Sequence, residues 1–127
     1  MLASRETVAI VDDDPDLLKA IGRVLSAHGF HCDCFASAEA FLEADRTREP
    51  TCLVLDIHLG GMSGIELRRR LKASHSRLPV IFITSIDDEA AYREALDVGC
   101  VAYLRKPFRA RALMDAIGKA STWGKFI

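Results

Sequence analysis

The chain has 127 residues and a mass of 14.0 kDa, enough for one hydrophobic core of ordinary size and too little for two. Half of it is hydrophobic, 28% is charged and the formal net charge is -1, which excludes an intrinsically disordered chain and gives no electrostatic reason to expect nucleic-acid binding. No apolar run approaches the ~20 residues of a membrane helix, and the opening from Met1 to Glu6 lacks the apolar stretch of a secretion signal, so a cytoplasmic protein with no membrane association is expected.

Taken in order, short apolar runs alternate with longer amphipathic stretches. Residues 7–11 form the first run, which predicts a strand, and Asp12, Asp13 and Asp14 stand directly behind it. Asp14 precedes Pro15 and suits the N-cap of a helix whose apolar positions Leu18, Ile21 and Leu25 follow at helical spacing, with Gly29 placed to stop it. Residues 30–35 predict a second strand, and a short helix follows from Ser37 to Ala44, capped by Ser37. The polar, Pro-terminated stretch 44–50 reads as a loop. A third strand is predicted over 52–55, with Asp56 directly behind it, and a third helix opens near Ser63-Gly64 and carries Ile65, Leu67 and Leu71. After a second polar loop, 74–79, a fourth strand covers 80–83 and runs into Thr84. Ala91, Ala95 and Val98 mark a fourth helix stopped by Gly99, residues 101–104 a fifth strand followed closely by Lys106-Pro107, and Leu113, Met114 and Ile117 a fifth helix. One domain over 1–127 is expected, its core spanning about 7–119, with 120–127 a tail or the start of a linker that carries Trp123 and Phe126.

Strict alternation of strand and helix in so short a chain predicts an α/β fold: a five-stranded parallel sheet in the order 2-1-3-4-5, flanked on both faces by five helices, doubly wound and flavodoxin-like. The central runs are continuously apolar, as strands covered on both faces require. In that order the first and third strands flank the point where the winding reverses, so Asp12, Asp13 and Asp56 converge at one sheet edge. Carboxylates gathered there repel one another unless a cation neutralises them, and oxygen ligands of this kind suit Mg²⁺ or Mn²⁺. Asp56 beside such a metal stays ionised and can attack phosphorus. Thr84 can donate a hydroxyl to a phosphoryl oxygen, and Lys106 can pair with another as a compact point charge.

Each residue also has a plainer reading. Asp12 to Asp14 could form a solvated turn, Asp56 could merely cap or ligate, and Thr84 or Ser85 could cap the fourth helix. Cys32, Cys34, Cys52 and Cys100 form no Cys-x-x-Cys pair and read as small packing residues, with a redox role for Cys32 and Cys34 left open.

From about Thr7 to Lys119 the chain resembles the receiver domain of two-component response regulators. The resemblance rests on Asp12-Asp13, Asp56, Thr84, Tyr103 and Lys106-Pro107 in that order, and on Leu59-Gly60-Gly61-Met62-Ser63-Gly64-Ile65-Glu66-Leu67, which is similar to a segment common in receivers that precede LuxR-type helix-turn-helix domains. It implies that Asp56 is the phosphoacceptor, that Asp12, Asp13, Asp56 and the backbone carbonyl of His58 hold the metal, and that Asp12 acts mainly through water. It further implies that Thr84 and Tyr103 form a conformational switch, that Lys106-Pro107 is a cis bond, and that the face of the fourth helix, fifth strand and fifth helix changes shape on phosphorylation. His58 and Ile86 fall at the family's two variable positions that influence phosphate loss. Where the family usually has Met-Pro this chain has Leu59-Gly60, which exchanges a rigid residue for a free one.

The implied partners are a sensor histidine kinase and, when phosphorylated, a second copy of the chain. DNA would be contacted only through an output domain absent from this chain. No enzymatic turnover is expected beyond self-phosphorylation and self-dephosphorylation. The alternatives are a stand-alone receiver that binds a partner directly or drains phosphate, a flavodoxin-like nucleotide binder, and a haloacid-dehalogenase-type phosphatase. Three acids after the first strand disfavour the nucleotide binder, and the short chain disfavours the phosphatase.

Overall fold

The computed structural model describes residues 6–45, 49–86 and 88–123. The elements are β1 (Thr7–Val11), α1 (Pro15–Ala27), β2 (His31–Phe35), α2 (Ala38–Glu43), β3 (Cys52–Asp56), α3 (Gly64–Ala73), β4 (Val80–Thr84), α4 (Glu89–Val98), β5 (Ala102–Arg105) and α5 (Ala110–Trp123). The strands form a parallel sheet in the order β2-β1-β3-β4-β5, the predicted topology.

Every residue of β1, β3 and β4 is buried, because helices cover both faces and successive side chains point to opposite ones. On one face Ala9, Val11, Leu53, Leu55 and Phe82 pack with Phe41 of α2, Leu67 of α3 and Ala95 of α4. On the other Val8, Ile10, Val54, Ile81 and Ile83 pack with Leu25 of α1 and Leu113 and Ile117 of α5. Each such large side chain contributes ~1.5–3 kcal/mol over an exposed position.

Local signals set the helix ends. Asp14 accepts from the Asp16 N–H at 3.0 Å, Ser37 from Ala40 at 3.0 Å and Ser63 from Glu66 at 3.1 Å, so three N-termini have the side-chain caps the sequence offers. Gly29 and Gly99 adopt φ of +86° and +94°, conformations that glycine reaches without a Cβ penalty and that end α1 and α4.

Two boundaries shift and one plainer reading fails. The third and fourth strands each run one residue further than predicted and end in Asp56 and Thr84, since Asp56 pairs with Ile83 and Thr84 with Arg105. The fourth helix is capped by Asp88, whose Oδ1 accepts from Ala90 and Ala91, and not by Thr84 or Ser85. Trp123 ends α5 instead of lying on a tail, because the helix continues past Ala120, the last of its buried positions. Phe126 lies outside the described residues, as do 46–48 of the first polar loop.

Candidate functional site

The period of two that builds the core also aims the site. Val8 and Ile10 face α1 and α5, and continuing that alternation places Asp12 on the same side; Val54 does so for Asp56, and Ala102 and Leu104 do so for Lys106. Phe82 and Tyr103 share the opposite face, and Thr84 continues their row. The strand ends are held in register just past the ladder: the Asp12 N–H donates to the Phe35 carbonyl at 3.1 Å, Ile57 to Ile83 at 3.1 Å and Lys106 to Thr84 at 2.8 Å.

Lys106 reaches between two acids, with Nζ 2.7 Å from Asp12 Oδ2 and 3.2 Å from Asp56 Oδ2. Asp12 is fully buried and Asp56 nearly so, whereas Asp13 is exposed. One oxygen from each of Asp12, Asp13 and Asp56 lies within 4.8 Å of the others. The Asp12 and Asp56 oxygens not bonded to Lys106 are held by backbone, Asp12 Oδ1 by the Asp14 N–H at 2.9 Å and Asp56 Oδ1 by the His58 N–H at 3.2 Å. Lys106-Pro107 is cis, as the resemblance implied.

The charges do not balance. Burial and the Asp12 carboxylate push the Asp56 carboxyl above its usual range, against the pull of Lys106 and of the His58 N–H. Burial works against the Lys106 ammonium, yet its hydrogen bond to Asp12 and the two negative charges outweigh that and hold it above its ordinary value. One ammonium faces three carboxylates, so a hard divalent cation with oxygen ligands fits the donor set.

Thr84 is fully buried and its Oγ1 accepts from the Ile86 N–H at 3.2 Å. Tyr103 is half-buried against the core and meets Tyr92 of α4 edge to face, with centroids 4.9 Å apart at 81°. His58 is exposed, and its backbone N–H touches the site.

Two residues escaped the sequence reading. Glu39, on α2, accepts from the Met62 N–H at 2.9 Å, a bond across 23 positions that also holds its carboxyl below the usual range. It thereby pins the loop where Gly60 replaces the usual proline, and Gly61 sits at φ +73° with its missing Cβ directed at Glu39 Oε2. Gly64 is the other: a Cβ there would overlap the backbone carbonyl of Asp56, so the start of α3 can approach the strand end only as glycine. The Gly60-Gly61 pair was a readable signal that loop N–H groups need a partner, but nothing in the sequence names Glu39 as that partner.

A model of the response regulator receiver domain matches residues 8–118. The response regulator protein TodT of Pseudomonas putida is 34% identical over 113 residues, 89% of this chain and 50% of its own length. The transcriptional regulatory protein FixJ of Bradyrhizobium diazoefficiens is 32% identical over 119 residues, 94% of this chain and 58% of its own. The chain thus spans about half the length of the curated relatives it matches. A crystal structure of FixJ-N superposes with a TM-score of 0.83 at 37% identity, covering 94% of this chain and 95% of that one. A receiver domain protein from Methanospirillum hungatei shares the fold with a TM-score of 0.87 at 24% identity, covering 96% of this chain and 98% of that one. Sheet order, acidic pocket and family match agree, and the chain belongs to the response regulator receiver domain family.

Proposed function

We propose that the chain is the phosphoacceptor of a two-component system and that Asp56 takes a phosphoryl group from the phosphohistidine of a sensor kinase. One observation carries this reading: Lys106 Nζ stands 2.7 Å from Asp12 and 3.2 Å from Asp56, at the sheet end where Asp13 completes a cluster of carboxylates. A carboxylate oxygen of Asp56 bonds to phosphorus as the P–N bond breaks and its electron pair returns to the imidazole. Lys106 moves from its carboxylate partners to the phosphoryl oxygens. Mg²⁺ or Mn²⁺ would be held by Asp13, Asp56 and the His58 carbonyl, with Asp12 acting mainly through water, and would supply the remaining positive charge that phosphoryl transfer needs.

The phosphoaspartate adds about two negative charges and new acceptor oxygens at the sheet edge. Thr84 exchanges the Ile86 N–H for donation of its own hydroxyl to the phosphoryl group, and Tyr103 leaves its edge contact with Tyr92 to fill the space on the same sheet face. Both residues lie on the α3/α4 side, so the charge at Asp56 biases the surface of α4, β5 and α5 between two states. Relatives named as transcriptional regulators, of which the chain spans about half, support an output in transcription through a further domain. A dimer of the phosphorylated form belongs to the same proposal.

The test is to incubate the protein with acetyl phosphate and Mg²⁺ and to locate the acid-labile phosphoryl group by peptide mapping. A single adduct on the peptide containing Asp56 is the expected result. Label on another residue, or uptake that is undiminished when chelator replaces Mg²⁺ from the start, contradicts the reading.

A further inference from the structure

We infer that Cys34 and Cys32 form a redox-active dithiol on the outer strand of the sheet, Cys34 as nucleophile and Cys32 as resolving thiol, open to exchange with small disulfides of the glutathione class. The two residues are i and i+2 on β2 and point to the same face, with their sulfurs 3.5 Å apart in a thiol–thiol hydrogen bond. Cys34 is exposed, whereas Cys32 is half-buried and packs toward the α1 cluster. An accessible sulfur with a second thiol directly behind it is the arrangement that redox-responsive cysteines share.

The charge balance between the pair supports the assignment of roles. The hydrogen bond from Cys32 lowers the Cys34 thiol to about 7 against the opposing effects of burial and Asp33, so Cys34 is substantially thiolate at neutral pH. The same bond, with burial and the nearby negative charges, pushes Cys32 far up and keeps it the proton donor. Cys52 is sealed in the core and pushed up to about 12 by burial, and burial also raises Cys100. Those two serve as internal controls.

The chemistry proceeds in two exchanges. The Cys34 thiolate attacks one sulfur of the small disulfide, forming a mixed disulfide and releasing a thiolate that takes a proton from water. Cys32, giving its proton to solvent, then attacks Cys34 Sγ; the internal bond forms and the second small thiol leaves. Two electrons pass from the cysteine pair to the small disulfide. Residues i and i+2 of a strand lie ~6.6 Å apart at Cα, inside the upper end of the ~4.4–6.8 Å range that a disulfide spans. Among the described strands, β2 is bonded to β1 alone, which leaves its other edge free to pucker as the sulfurs close. Cys34 is also adjacent to Phe35, whose carbonyl holds the Asp12 N–H at 3.1 Å.

The proposal is tested on the reduced protein by following iodoacetamide labelling of each cysteine and the products formed with glutathione disulfide. Cys34 is expected to label roughly tenfold faster than Cys100, and glutathione disulfide is expected to yield an internal Cys32–Cys34 bond. Cys32→Ala should stop at a stable glutathione adduct on Cys34, and Cys34→Ser should leave Cys32 unmodified. Equal labelling of Cys34 and Cys100 would overturn the proposal. So would a persistent adduct in the unsubstituted protein, or modification of Cys32 in Cys34→Ser. None of these outcomes depends on phosphorylation.

Discussion

Asp56→Asn is expected to abolish phosphoryl uptake from acetyl phosphate while raising the melting temperature of the metal-free protein. The amide has nearly the size of the carboxylate and can still accept from Lys106 or the His58 N–H, so the pocket keeps its shape and loses its nucleophile. The gain in stability follows from the direction of the Asp56 shift. Its carboxyl is held above the usual range by burial and by Asp12, so ionising it costs the folded state more than the unfolded one. That penalty is absent below the unfolded value of ~3.9 and fully present once the pH exceeds the folded value. At neutral pH the asparagine removes it. For a domain of this size ~1 kcal/mol corresponds to about 3–5 °C, readable by calorimetry in chelator. The gap should narrow with added Mg²⁺, which stabilises only the protein that binds it well, and again as the pH falls toward 4. A variant that still labels, or that melts below the unsubstituted protein in chelator, speaks against the account.

Lys106→Ala should have the opposite effect on stability. Asp12 is fully buried and its Oδ2 keeps the ammonium at 2.7 Å, so removing Lys106 leaves like charges packed together with their counter-charge gone. Breaking a fully buried pair in this way costs ~3–5 kcal/mol, and the partial exposure of the lysine lowers the expected loss to about 2–3 kcal/mol. Because the folded Lys106 sits above its ordinary value, its contribution is complete below the unfolded ~10.4 and fades only as the pH rises through the folded value. Urea unfolding in chelator should therefore show a constant loss from pH 7 to 9 that closes at strongly alkaline pH. Phosphoryl uptake should fall by roughly a hundredfold, the usual effect of deleting a charge-stabilising donor. An unchanged unfolding midpoint would mean that the lysine does not neutralise the acids.

The sheet was legible because its cause is local and repeated. Val8 to Val11, Leu53 to Leu55 and Ile81 to Ile83 are apolar without interruption, and a short strand covered on both faces uses such a pattern. Asp12 and Asp56 were legible for the same reason, since one directly follows and the other ends such a run; Lys106 stands just past Arg105 at the end of the less buried β5, and a parallel sheet brings all these strand ends to one edge. What stayed hidden depends on tertiary distance. Nothing in Glu39 announces a bond to Met62, and Gly64 looks like an ordinary helix start until the Asp56 carbonyl is seen packed against it. The Cys32–Cys34 contact fell between these cases: the spacing was visible, but strand alternation gives a shared face without the sulfur separation. The plainer reading that Thr84 or Ser85 caps helix four fails because the cap is Asp88, farther along a polar stretch where several residues could serve.

The central claim is that acids distant in sequence form one divalent-cation site, and Asp13→Asn tests it most directly because Asp13 is exposed and its loss leaves the buried Asp12–Lys106–Asp56 contacts in place. Mn²⁺ titration followed by electron paramagnetic resonance should find one ion per chain in the unsubstituted protein and an affinity reduced roughly tenfold or more in the variant, as removing one charged ligand predicts. Equal affinities in the two proteins, or no stoichiometric binding in the first, would contradict it.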